Sequence, residues 1–205
     1  KKSAFGYAKA GGPNYVYALS HFTDATDDAN TLIAQAHKSY GEAWETYFSQ
    51  EHDPSQILGE SNILRYRKLD RILLRLTPDS NPLDIERVLM ATQYINLPLY
   101  ISLSDDTVSH PSFTLDSFRH ISIQVENESA YIKQINNPRY RYTQRIRAID
   151  PVSDAVRQAA IDAHVMIADA PVVSNGRLEL RHYLQEQSIT QTTHRYGNII
   201  QEPRA

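Results

Sequence analysis

Beyond Pro54 short runs of branched aliphatic residues alternate with stretches of helical period, the pattern left by strands of a parallel sheet and the helices that cross between them. The strand candidates are residues 71–77, 97–104, 121–125, 144–149 and 165–168. Asn81-Pro82 supplies a cap and a first-turn proline ahead of Ile85, Val88, Leu89 and Tyr94, so a helix is predicted between the first two strands. The next crossover, residues 105–117, is polar and reads as loop. Residues 128–135 and 153–163 supply the third and fourth, with Asp154 in the first turn of the latter.

Upstream, apolar residues recur at Leu32, Ile33, Ala36, Tyr40, Ala43, Trp44, Tyr47 and Phe48 behind Asp27-Asp28, predicting a long amphipathic helix that ends near Asp53-Pro54. Tyr15-Val16-Tyr17-Ala18-Leu19 reads as a strand. Downstream, Asn175-Gly176 marks a turn, residues 178–187 read as a helix, and residues 188–195 alternate like an exposed strand. The expected fold class is α/β, a Rossmann-like open and mostly parallel sheet with flanking helices. An N-terminal strand and long helix form an arm, and a C-terminal strand protrudes.

A chain of 205 residues suffices for one domain with an appended arm. Its 41% hydrophobic and 22% charged residues are ordinary for a globular protein, and no apolar run is long enough to span a bilayer. A net charge of -3 argues against a phosphate-binding surface, so nucleic acid is not an expected partner. The absence of cysteine removes disulfides, thiolate metal sites and thiol nucleophiles together.

Seven glycines include no G-x-G-x-x-G, and the first strand-to-helix turn, Thr77-Pro78-Asp79-Ser80-Asn81, places an acid where a phosphate would sit. Eight histidines show no i, i+3 or i, i+4 pairing, so no metal site is expected, and His164 reads as a core-edge residue. Asp105-Asp106 reads as a solvated turn. Arg65-Tyr66-Arg67-Lys68 and Arg139-Tyr140-Arg141-Tyr142 interleave bases with aromatics as single-strand binders do. Such a segment equally lets aromatics cover apolar surface while guanidinium groups stay wet or meet acids.

The opening Lys9-Ala10-Gly11-Gly12-Pro13-Asn14-Tyr15 resembles the K-x-G-G-P-x-Y run that ends the dehydrogenase domain of Δ1-pyrroline-5-carboxylate (L-glutamate γ-semialdehyde) dehydrogenases, especially the proline utilization A enzymes fused to proline dehydrogenase. Gly59-Glu60-Ser61-Asn62 with Arg65-Tyr66-Arg67, and residues 180–198 with Glu186, Ser188 and Gly197-Asn198, are similar to the extra C-terminal domain of the longer members. A departure is Thr192-Thr193-His194-Arg195-Tyr196-Gly197, where those members carry small residues.

The resemblance implies the C-terminal end of a longer enzyme, and the chain's start at Lys1-Lys2-Ser3 is read the same way. Residues 1–25 would end the catalytic domain, 26–56 form a connecting helix, 57–187 a Rossmann-like domain without cofactor, and 188–205 a terminal strand and tail. The parent would oxidise glutamate γ-semialdehyde with NAD, with FAD serving a fused proline dehydrogenase. No catalytic, cofactor or metal residue is expected here. The implied interface residues are Lys9, Gly11, Gly12, Pro13, Asn14, Tyr15, Ser188, Ile189, Arg195, Tyr196 and Gly197. Expected partners are the upstream catalytic domain and further copies of the chain, in a cytoplasmic protein. Two alternatives stay open: an independent α/β domain that binds a metabolite or nucleotide at its sheet crevice, and an RNA-binding module.

Overall fold

A computed structural model describes residues 29–104 and 120–192. Five strands form one wholly parallel sheet: β2 (Arg71–Leu76), β3 (Leu99–Leu103), β4 (Ile121–Val125), β5 (Gln144–Arg147) and β6 (Met166–Ala168), in the order β4-β3-β2-β5-β6. The first three strands run outward one way and β5 then returns to the other side of β2. β4 matches its predicted run and the other four lie within theirs, shortened at the ends.

Helices cover both faces. α2 (Pro82–Tyr94) starts where the sequence places it, with the Asn81 side chain accepting from the Leu83 amide and Pro82 in the first turn. Its Ile85, Val88 and Ala91 pack on Ile72, Leu74, Leu76 and Ile101. α3 (Glu128–Ile135) and α4 (Asp154–Asp162), capped by Asn127 and Ser153, cover the opposite face. There Tyr131, Ile135, Val156, Ala159 and Ala160 meet Leu73, Tyr100 and Ile146. Burying such side chains contributes about 1.5–3 kcal/mol each, and this two-sided burial is why β2 reads as a nearly continuous apolar run.

The upstream helix belongs to the same core. α1 (Ala29–Ala43) buries Leu32, Ala36, Tyr40 and Ala43, and the Tyr40 hydroxyl donates to the Val173 carbonyl at 2.6 Å. A five-residue π-helical segment, Trp44–Phe48, ends it, so the helix stops short of the predicted Asp53-Pro54. Asp53 builds a turn instead: Oδ1 accepts the Ser55 and Gln56 amides, and Oδ2 accepts the Asn62 amide. The Gln56 amide, the largest influence, helps hold the Asp53 carboxyl below its ordinary value.

The C-terminal part differs from expectation. Residues 178–187 are not one helix: α5 (Gly176–Glu179) passes into a 3-10 turn, Leu180–Tyr183, and a nine-residue strand β7 (Leu184–Thr192) begins four residues before the predicted start. Its partner is a strand the apolar pattern does not announce, β1 (Glu60–Lys68). Together they form a two-stranded antiparallel ribbon separate from the main sheet. His164 is exposed, at φ 55°, and stacks on Tyr142 rather than entering the core edge. The predicted strand at Tyr15–Leu19 and the Asp105-Asp106 turn lie outside the described residues.

Candidate functional site

Two places could carry function: the crevice at the strand C-termini and the terminal ribbon. In an open parallel sheet the ligand crevice lies where the strand order reverses, here outside the ends of β2 and β5. Side chains of the turn after β2 and of the segment after β5 meet there. Asp150, just past β5, accepts hydrogen bonds from the Thr77 hydroxyl at 3.2 Å and from the Ser80 hydroxyl, and the Thr77 amide donates to Ser80 Oγ at 2.8 Å. The acid at this crevice is therefore Asp150, from the opposite strand, whereas Asp79 points to solvent. In this cluster the Thr77 amide is already taken by Ser80, and the carboxylate and the two hydroxyls bond one another.

Beside it a charged pair is sealed inside the domain. The Arg147 guanidinium bonds both oxygens of Glu179 and three carbonyls, those of Ala148, Ala168 and Ala170, while the Tyr183 hydroxyl donates to Glu179 at 2.7 Å. Burial opposes ionisation of both groups. Each holds the other charged, Arg147 above and Glu179 below its ordinary value. This network joins β5 to α5 and is structural.

The ribbon is the more distinctive feature. The Leu64 amide and carbonyl both pair with His52, at 2.7 and 2.9 Å, so they point away from β7. Strand alternation then places the bonds exchanged between β1 and β7 at Ile63–Ile189 and Arg65–Gln187, while the backbone groups of Ser188 and Thr190 face outward. Among the described residues no strand pairs with that outer edge. One ribbon face carries the opposed pair Ile63 and Ile189 outside both core clusters, and Ile57 and Leu58 stand exposed beside the strand start at Glu60. The ribbon root is held by Tyr66 against Phe48 and by Arg65, which meets Gln187 at 2.7 Å and Glu51 at 3.0 Å. The Arg–Tyr interleaving of this segment thus serves packing and pairing.

Of the implied interface residues, Ser188 and Ile189 sit on β7, one presenting its backbone outward and the other its side chain. Lys9, Gly11, Gly12, Pro13, Asn14, Tyr15, Arg195, Tyr196 and Gly197 lie outside the described residues. Sequence reading missed β1 and the Ile57-Leu58 pair. The remaining signal for β1 was the Ile63-Leu64 and Tyr66 apolar spacing inside a polar stretch. Among the described residues no cluster of three or more histidine or acidic side chains could hold a metal, and no helix is long and apolar enough to cross a membrane.

This topology defines a doubly wound, Rossmann-like α/β domain with an appended antiparallel ribbon. No family model and no curated protein matches the chain. Among solved structures it is similar to proline utilization A (PutA) from Corynebacterium freiburgense, with a TM-score of 0.54 and 23% identity over 84% of this chain and 16% of that one. Histidinol dehydrogenase from Elizabethkingia anophelis is similar at a TM-score of 0.44 and 13% identity, covering 78% of this chain and 39% of that one. The chain thus spans well under half the length of either protein, and the PutA likeness establishes the fold.

Proposed function

We propose that this chain is a non-catalytic domain of an NAD-dependent L-glutamate γ-semialdehyde dehydrogenase of proline catabolism, docking on the catalytic part of its own polypeptide to support assembly and close the catalytic cavity. The observation that carries the reading is the ribbon: a nine-residue strand whose outer edge pairs with no other strand among the described residues, with an apolar Ile63–Ile189 face, is suited to receive another strand. The PutA-like fold over 84% of the chain and the resemblance of residues 9–15 to the end of a dehydrogenase domain support the same assignment. In this reading residues 1–25 finish the catalytic domain, residues 188–205 take part in docking, and NAD, with FAD if proline dehydrogenase is fused, is held upstream.

The Asp150–Thr77–Ser80 cluster at the crevice favours this over a nucleotide-binding domain. Asp150 would repel a pyrophosphate, so calorimetric titration of the chain with NAD is expected to give no micromolar binding. The decisive experiment removes residues 188–205 from the full-length enzyme. Semialdehyde oxidation or its coupling to proline oxidation should fall while flavin-dependent proline oxidation persists. Unchanged activities and assembly state would overturn the proposal.

A further inference from the structure

Two cations sit on aromatic rings of the π-helical segment Trp44–Phe48. The Lys68 ammonium lies over the Trp44 ring at 5.7 Å, and the Arg177 guanidinium carbon lies 3.1 Å from the centroid of the Tyr47 ring. Lys68 ends β1 and Arg177 belongs to α5, so two distant stretches of chain bring them to one helical turn. We propose that this face binds an acidic peptide segment of a partner protein.

Both cations are exposed, and among the described residues neither meets a carboxylate within salt-bridge distance. Glu186, opposite Tyr66 in the ladder, lies against Arg181 at 3.7 Å, and Glu51 lies against Arg65 at 3.0 Å. Glu45 and Asp70 are exposed sequence neighbours that reach neither cation. Stacking on a ring orients a cation without neutralising it. The rings are themselves anchored, since Trp44 and Tyr47 pack on the core and Tyr47 also meets Phe48 and Tyr66. The face thus combines Trp, Tyr and Arg, the residue types that dominate binding hot spots, on a π-helical turn, a rare geometry frequent at functional sites.

Charge and shape select the partner. The chain carries a net charge of -3, so an acidic ligand gains only from cations left locally unpaired. Trp44 meets Lys68 and Tyr47 meets Tyr66, and these two strand residues lie two apart on one face of β1, an interval of roughly 7 Å. An extended peptide repeats its side chains on one face at the same interval. A single-stranded nucleic acid would need a free ring to stack on, whereas Tyr47 has Arg177 and His52 against it and Lys68 covers Trp44. A small dianion would need a concave site that encloses it, and these cations stand on an exposed face.

Trp44 is the only tryptophan of the chain, so its emission reports the site directly. Hexaglutamate is expected to change that emission saturably at about 0.1–1 mM in low salt, to be released by about 0.5 M sodium chloride, and to bind at least about ten-fold more tightly than hexaglutamine. Lys68→Gln and Arg177→Gln should each weaken hexaglutamate binding about five-fold, whereas Lys133→Gln, on α3 across the sheet, should leave it unchanged. Unchanged Trp44 emission, wild-type affinity in both Lys68→Gln and Arg177→Gln, or equal binding of hexaglutamine overturns the proposal. Tighter binding of a thymidine hexanucleotide than of hexaglutamate also overturns it, by assigning the face to nucleic acid. None of these outcomes depends on whether the outer edge of β7 docks in a longer enzyme.

Discussion

Arg147 on β5 and Glu179 on α5 lie side by side with two parallel hydrogen bonds, Nε to Oε1 at 2.9 Å and Nη2 to Oε2 at 3.0 Å, and neither side chain has exposed surface. The pair joins the sheet to the segment from which the ribbon springs, and Tyr183 and the Val173 amide occupy further positions on the same carboxylate. Removing one partner leaves a buried charge uncompensated. Glu179→Ala is therefore expected to cost about 3–5 kcal/mol in urea unfolding. A double replacement by Met at 147 and Leu at 179 should recover part of it, because the desolvation of both ions disappears. A loss below about 1 kcal/mol for the single variant would show that water reaches the site.

A second prediction concerns the joint between α1 and α5. A Cβ on Gly176 would lie 2.2 Å from the Ser39 carbonyl oxygen and 2.8 Å from Tyr40 Cα, both backbone atoms. The Gly176 amide also donates to Ser39 Oγ at 2.8 Å, which fixes the approach. Gly176→Ala should destabilise by about 1–3 kcal/mol through forced separation of the two helices, measured by thermal or denaturant unfolding. Unchanged stability would mean that α1 is not part of the cooperative core.

These two contacts mark where sequence reading ends. Elements with local punctuation were legible: Asn81-Pro82 caps a helix where predicted, and the helices expected at 128–135 and 153–163 form with Asn127 and Ser153 as caps, because a cap is a bond between residues two or three apart. β1 was not legible, since Glu60–Lys68 is largely polar and becomes a strand by pairing with β7, more than a hundred residues on. Residues 178–187 misled for a related reason. Leu178, Leu180, Tyr183 and Leu184 have helical spacing, but Leu184 is buried as the root of a strand and only the preceding turns are helical. Of the implied interface, Ser188 and Ile189 could be placed on the ribbon, while the choice of outward backbone groups rests on the His52–Leu64 bridge, which no spacing rule reveals.

A third prediction is a pH dependence centred on His182. Burial pushes its pKa down to about 4 from 6.5; Glu179 opposes the change, while Arg147, Arg145 and Arg181 add to it. The folded imidazole stays neutral where the unfolded one takes a proton. Its contribution is thus fully present above about pH 6.5 and is lost as pH falls through 4, a difference of about 3 kcal/mol. Other groups titrate in the same window, so the test compares the wild-type chain with His182→Gln. The difference between their unfolding free energies should change across this window, and parallel curves would refute the assignment.

The last prediction separates the two edges of β7 by proline substitution. Ile189 exchanges backbone bonds with Ile63, whereas the Thr190 amide points away from β1, as the pairing of Leu64 with His52 requires. Proline lacks that amide and is tolerated in a strand only where the amide faces outward. Ile189→Pro should therefore break the ladder, and the Ile63 and Arg65 amides should exchange rapidly with solvent. Thr190→Pro should keep both amides protected and leave the stability of the chain within about 1 kcal/mol of wild type, since no ladder bond is lost. In a longer enzyme the same Thr190→Pro change removes one donor from the edge offered to a partner strand, so docking should weaken although the domain stays folded. Hydrogen exchange on the chain and sedimentation of the full-length protein read the two effects independently. Loss of Ile63 protection in Thr190→Pro equal to that in Ile189→Pro would show that the outward edge is misassigned, and intact docking in a folded Thr190→Pro enzyme would remove β7 from the interface.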